Sequence, residues 1–206
     1  TGNAREDRTA DPPKVYRYVL RNRIKDGLGF EDVTLASGYG ARRDDPSKLD
    51  RVAHLAVAAD VNNDGFLDLF SCTNTDINDS VNPDTGDRSE ILLGNGAAAF
   101  ALAPAIDLFR DGGASVTSAT FLDYNRDGNI DLFVGTGYIV YGYLQSYPDK
   151  LYKGDGKGGF TDVTEAEGMI RTDMDYLDGN AHRPTYGVTS CDVDGDGDPD
   201  IVTSSY

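Results

Sequence analysis

Apolar residues in this chain occur in short runs separated by polar, glycine-rich segments: Ala56 to Ala59, Leu67 to Phe70, Ile130 to Val134, Ile201 to Thr203. None approaches the roughly 18 residues that a transmembrane helix needs. Runs this short, bounded by Gly and Asp clusters, predict many brief strands joined by tight turns rather than long helices.

The runs recur in order. One nine-residue loop appears three times, as Asp60-Val-Asn-Asn-Asp-Gly-Phe-Leu-Asp68, Asp123-Tyr-Asn-Arg-Asp-Gly-Asn-Ile-Asp131 and Asp192-Val-Asp-Gly-Asp-Gly-Asp-Pro-Asp200. A second motif alternates with it. Gly29-Phe-Glu-Asp-Val-Thr34 and Gly159-Phe-Thr-Asp-Val-Thr164 are near copies, and Gly96 to Phe100 is a worn one. Each unit therefore reads as four antiparallel strands. Strand one is rich in small residues (Ala56–Ala59, Ser118–Ala119, Gly187–Cys191) and runs into the Asp loop, and strand two is the apolar run after it. Strand three is Glu90–Leu93 or Lys150–Lys153, and strand four is Phe160–Val163 after a Gly-rich turn. The chain opens in strands three and four, roughly Tyr16–Ile24 and Phe30–Val33. Four antiparallel strands repeated every 60 to 70 residues or so describe an all-β fold built of β-propeller blades. About three blades' worth is present, which predicts part of a larger propeller; two chains closing one six-bladed ring is the alternative. The expected division is a disordered segment over residues 1–14 and blades over 15–206.

Composition adds charge to this picture. The chain has 35 acidic and 19 basic residues, a net charge of −16. Such a surface repels nucleic acid and anionic lipid, so neither nucleic-acid binding nor membrane insertion is expected. So many carboxylates also call for bound cations. The Asp loops suit calcium, which takes six to eight hard oxygen ligands in flexible geometry. Side chains at loop positions 1, 3, 5 and 9 and the carbonyl at position 7 can wrap one ion, and Gly65, Gly128 and Gly197 at position 6 permit the turn. The candidate ligands are Asp60, Asn62, Asp64, Phe66 (carbonyl) and Asp68; Asp123, Asn125, Asp127, Asn129 (carbonyl) and Asp131; and Asp192, Asp194, Asp196, Asp198 (carbonyl) and Asp200. About three Ca2+ ions per chain are expected, with the third loop tightest because all four of its side-chain ligands are carboxylates. Position 12 holds Ser71, Val134 and Thr203, strand residues where an EF-hand would carry a bidentate Glu before its exiting helix.

The Asp loop leading into an apolar strand, together with the G-F-x-D-V-T hairpin, resembles the FG-GAP/VCBS repeat family from about Tyr16 to Tyr206. That resemblance implies a seven-bladed propeller, calcium in the loops between strands one and two, and a secreted or cell-surface protein. Unit one departs from the pattern, with Ala99-Phe-Ala-Leu102 in place of G-F-x-D.

No H-E-x-x-H, G-x-S-x-G or P-loop sequence occurs, so no catalytic residue and no enzymatic activity are expected. Gly154–Gly159 joins two strands and reads as a hairpin turn, and His54 as a packed strand residue. Cys72 and Cys191 fall in different blades and read as small buried thiols. Asn78-Asp-Ser80 has the form of a glycosylation acceptor. Strand alternation puts the Asp loops and Gly turns on one face and every long connection on the other. Those connections are 35–51, 73–89, 103–114, 136–149 and 165–185. A protein or glycan ligand is expected on that long-connection face, where the Tyr138–Tyr147 stretch falls with Arg171, His182 and Arg183. Function thus reads as a calcium-binding extracellular adhesion, binding or structural module. The alternative is the propeller part of a secreted polysaccharide lyase or similar enzyme, against which the lack of Trp weighs.

Overall fold

The computed structural model describes residues 17–73, 88–104, 115–137, 146–169 and 184–205. They form twelve strands and one 3-10 turn, Ile24–Asp26. β1 (Leu20–Asn22) pairs with β2 (Phe30–Asp32) in a sheet we call N. β3 (Leu55–Ala59), β4 (Asp68–Cys72), β5 (Glu90–Gly94) and β6 (Phe100–Leu102) form sheet A in sequence order. β7 (Val116–Leu122), β8 (Asp131–Thr136), β9 (Lys150–Gly154) and β10 (Phe160–Asp162) form sheet B in the same way. β11 (Thr185–Cys191) and β12 (Asp200–Ser205) form sheet C. Every pairing is antiparallel. The all-β class and the four-stranded units are as the repeats predict, and sheets A and B have the form of propeller blades. The worn copy at Phe100 still makes a fourth strand.

The strand-one elements lie side by side, with β7 packed against both β3 and β11. Small side chains allow this approach. Thr120 and Ser190 hydroxyls bridge β7 and β11 at 3.2 Å, and a Cβ on Gly135 would meet Thr185 Cγ2 at 2.8 Å. The main core lies between sheets A and B, around Val61, Phe70, Cys72, Ile91, Val116, Leu132, Val134 and Tyr152. Burial of these groups at about 25 cal/mol per Å² is the main stabilising contribution. A second cluster, Leu122, Phe133 and Leu151, packs with Val188 and Ile201 of sheet C. On the face away from the Asp loops, Asp149 accepts from Thr136 N–H (2.9 Å) and from the Thr185 hydroxyl (2.7 Å), tying B to C.

The structure corrects two expectations, for His54 and Cys191, and shows a third region to be more packed than its sequence suggests. The 35–51 connection is packed in part: Ser37, Tyr39, Ala41, Arg42, Asp50 and Arg51 are buried, while Leu35, Ala36, Asp44 and Lys48 are exposed. Its charges look solvent-bound in sequence but turn inward. Arg43 pairs with Glu90 at 2.7 Å, and Arg42 pairs with Asp44 and Asp50. Arg51 donates to the Tyr39 carbonyl and the Ser71 hydroxyl beneath the Tyr39 ring. His54 is exposed, not packed: it stands one residue ahead of β3, whose residues alternate between exposed and half-buried. Cys191 is exposed as well, because β11 belongs to a two-stranded sheet whose outward side is open; Cys72 is buried, and both thiols are free. Burial pushes the Cys72 thiol up to about 12.

Residues 1–14, Asn78–Ser80, Tyr138, Tyr141, Tyr143, Arg171, His182 and Arg183 lie outside the described residues. Tyr147, at the end of that tyrosine stretch, is half-buried, and its carbonyl accepts from the Thr136 hydroxyl. Among the described residues, no helix is long and apolar enough to cross a membrane.

Candidate metal centre

Each Asp loop connects the first two strands of its sheet: β3 to β4, β7 to β8, β11 to β12. The three share one backbone path. Position 6 is left-handed in all of them, at φ 87°, 82° and 89° for Gly65, Gly128 and Gly197. Position 4 is left-handed too, at Asn63 (59°), Arg126 (55°) and Gly195 (82°). For an arginine that conformation costs about 1–2 kcal/mol, so the rest of the loop must impose it.

What imposes it is a ring of Asp-to-backbone hydrogen bonds. In the first loop Asp60 accepts from the N–H groups of Asp64 (3.1 Å) and Gly65 (2.8 Å), and Asp64 accepts from Phe66 N–H (2.9 Å). In the second, Asp123 accepts from Asp127 (3.1 Å) and Gly128 (2.9 Å), and Asp127 from Asn129 (3.0 Å). In the third, Asp192 accepts from Gly195 (2.7 Å) and Gly197 (2.9 Å), and Asp196 from Asp198 (2.8 Å). Position 3 joins through Asn62, Asn125 and Asp194, each accepting from the position-5 N–H.

Position 9 lies at the base of the loop. Asp68 and Asp131 are fully buried. Their Oδ2 atoms accept from the position-2 N–H of Val61 (3.0 Å) and Tyr124 (3.1 Å), as Asp200 does from Val193 (2.9 Å). Their Oδ1 atoms accept from Gly94 and Gly154, both at 2.8 Å, at the ends of β5 and β9. Burial raises both carboxyls above the usual carboxylate range, against those N–H donors and with help from the other loop carboxylates.

The structure thus places every predicted side-chain ligand on its loop, and brings Asp192, Asp194 and Asp200 close enough for their oxygens to lie within 4.8 Å of one another. Asp196 is outside that trio. In the first two loops the amides of Asn62 and Asn125 reach the position-5 carboxylates instead, at 3.0 and 3.1 Å. The candidate donors are oxygens, with a base carboxylate that is buried in the first two loops and half-buried in the third and more exposed carboxylates above it, which suits a hard cation such as calcium.

Sequence reasoning missed several participants. Gly94 and Gly154 are needed for close approach: a Cβ on either would meet the position-8 carbonyl, of Leu67 or Ile130, at 2.1 Å. Their signal was a glycine ending strand three in both units. Position 4 links neighbours, with Asn63 donating to the Gly156 carbonyl (3.4 Å) and Arg126 to the Asp196 carbonyl (3.3 Å), while Arg126 also pairs with Asp198. Lys153, on β9, pairs with Asp127 at 2.9 Å and holds its carboxyl down to about 2.

The model of the FG-GAP-like repeat matches residues 60–134. This stretch is similar to the FG-GAP-like repeat. It runs from the first Asp loop through β4 to β7 and the second loop into β8, as the resemblance to the FG-GAP/VCBS type implied. No curated protein matches the chain in sequence.

Proposed function

We propose that the FG-GAP-like repeats make a calcium-stabilised module of a secreted or cell-surface protein, one that binds a partner and carries out no catalysis. Each Asp loop takes one calcium ion, held by the side chains at positions 1, 3, 5 and 9 and the carbonyl at position 7. The blades belong to a larger, seven-bladed propeller whose face opposite the loops receives a protein or glycan ligand. The observation that carries this reading is the shared loop path, left-handed at positions 4 and 6 three times over, with the carboxylates of Asp192, Asp194 and Asp200 converging. An acidic turn that only needed solvation would not hold an arginine at positive φ in order to gather carboxylates.

Bound calcium supplies divalent charge among carboxylates that otherwise repel, by about 1–4 kcal/mol per pair at a few ångströms. The chain's own part is to fix the register of the first two strands, since each loop starts on one and ends on the other. The net charge of −16 weighs against nucleic-acid partners. Calorimetric titration of the metal-stripped protein with calcium chloride tests the reading. About three sites per chain with affinities suited to extracellular calcium are expected. A featureless titration would refute it.

A further inference from the structure

The Asp loops of sheets A and B share one backbone path and one set of hydrogen bonds, yet the residue before the glycine that ends strand three differs. In sheet B it is Lys153, whose ammonium sits 2.9 Å from Asp127 Oδ2. In sheet A the same place, one residue before Gly94, is held by Leu93. Asp64 Oδ2, the counterpart of Asp127 Oδ2, is met by the Asn62 amide at 3.0 Å, and among the described residues no basic side chain pairs with Asp60, Asp64 or Asp68. Asp127 thus carries an internal cation on the oxygen that also accepts from Asn125, while Asp127 Oδ1 is taken by Asn129 N–H.

Resting on the calcium reading above, we propose that Lys153 is a tethered competitor for the second loop's cation, making that loop the weakest of the three sites. A dication entering the second loop must displace the ammonium from Asp127 or accept a positive charge a few ångströms away. The first loop meets neither penalty. Arg126 takes no ligand atom of the third loop: its guanidinium engages the Asp198 carboxylate and the Asp196 carbonyl, whereas the ligand atoms there are the carboxylates of Asp192, Asp194, Asp196 and Asp200 and the Asp198 carbonyl. An exposed ion pair together with charge repulsion at this range amounts to about a tenfold weakening. Lys153 acts on affinity and is not itself a ligand.

The test reads the loops one by one. The amides of Gly65, Gly128 and Gly197 each donate to the first Asp of their own loop, so each reports its own site in a 15N-edited calcium titration. In the unaltered chain, Gly128 is expected to reach its midpoint at about tenfold higher calcium than Gly65. Lys153→Met should bring the Gly128 midpoint down to that of Gly65 without moving the other two. Lys153→Arg, which keeps the charge, should leave it high. Lys153 is half-exposed, so neither variant threatens the fold. A Gly128 midpoint at or below that of Gly65, or one unmoved by Lys153→Met while all three amides titrate, would overturn the inference and leave the calcium reading standing. Three amides that do not respond to calcium at all would overturn both.

Discussion

Sheets A and B are two solutions to one problem. Strand order and pairing are the same, the five-residue turn between strands three and four closes with the same bonds, and the buried Asp at loop position 9 is held by the same two N–H contacts in kind. Asn95 N–H donates to the Ala99 carbonyl at 3.1 Å, as Asp155 N–H does to Gly159 at 3.0 Å. The side chains diverge. Sheet B locks its last strand with a clasp in which Asp162 accepts from Thr164 N–H (2.9 Å) and Thr164 Oγ1 accepts from Leu151 N–H (3.0 Å). Sheet N repeats the clasp through Asp32, Thr34 and Val19. Sheet A has Leu102 and Pro104 there, and Arg43 from the 35–51 connection donates to the Ala103 carbonyl instead (2.8 Å). The difference teaches that the blade frame depends on backbone hydrogen bonds and a few glycines. The motif that marks the repeat in sequence is one of at least two ways to secure its edge.

The largest expected effect lies where the two sheets agree. Gly94→Ala and Gly154→Ala should each destabilise by about 3 kcal/mol or more, since a Cβ there meets a backbone carbonyl that cannot move without breaking the loop. Urea melts showing less than about 1 kcal/mol for both would mean that the loop base is softer than its geometry. Next comes the clasp. Thr164→Val should cost sheet B about 1–2 kcal/mol through the lost acceptor for Leu151 N–H. Arg43→Met is the corresponding change for sheet A. If Thr164→Val is neutral and Arg43→Met is not, the two edges are not equivalent solutions. The smallest effect is a pair of opposite sign in the turns. Ala98 holds φ 59° where sheet B has Gly158 at 85°. Ala98→Gly should stabilise by about 1 kcal/mol and Gly158→Ala should destabilise by a similar amount. Equal signs in a melting comparison would show that the worn turn has relaxed differently.

Much of this was legible in the sequence, and the reasons are local. Loop residues Asp60 to Asp68 and their two copies announce themselves because ligand geometry fixes residue type at fixed spacing. β4 and β8 were readable as apolar runs following those loops. The 35–51 connection was not, because Arg42, Arg43, Asp44, Asp50 and Arg51 look like a solvated segment. Yet Arg42, Asp50 and Arg51 are buried and Arg43 is half-buried, with partners such as Glu90 and Ser71 some 20 to 50 residues away along the chain. Gly94 and Gly154 were hidden by distance as well, lying 26 and 23 residues beyond the Asp each supports. Arg126 and Lys153 were unreadable because isolated basic residues on an acidic chain carry no pattern of their own. Only the stacking of neighbouring sheets sets Arg126 against Asp198, and only the fold of sheet B sets Lys153 against Asp127.

The central claim is that the three Asp loops hold calcium and that the fold depends on it. Thermal melts of the full chain in EDTA, in millimolar calcium and in millimolar magnesium test this most directly. A ligand that binds only the folded state adds about 2.7 kcal/mol per site at a hundredfold excess over its Kd. The melting temperature should therefore rise by many degrees in calcium and far less in magnesium, which gives up its water reluctantly. Superimposable melts in EDTA and calcium would contradict the account, leaving the loops as acidic turns held by their own hydrogen bonds.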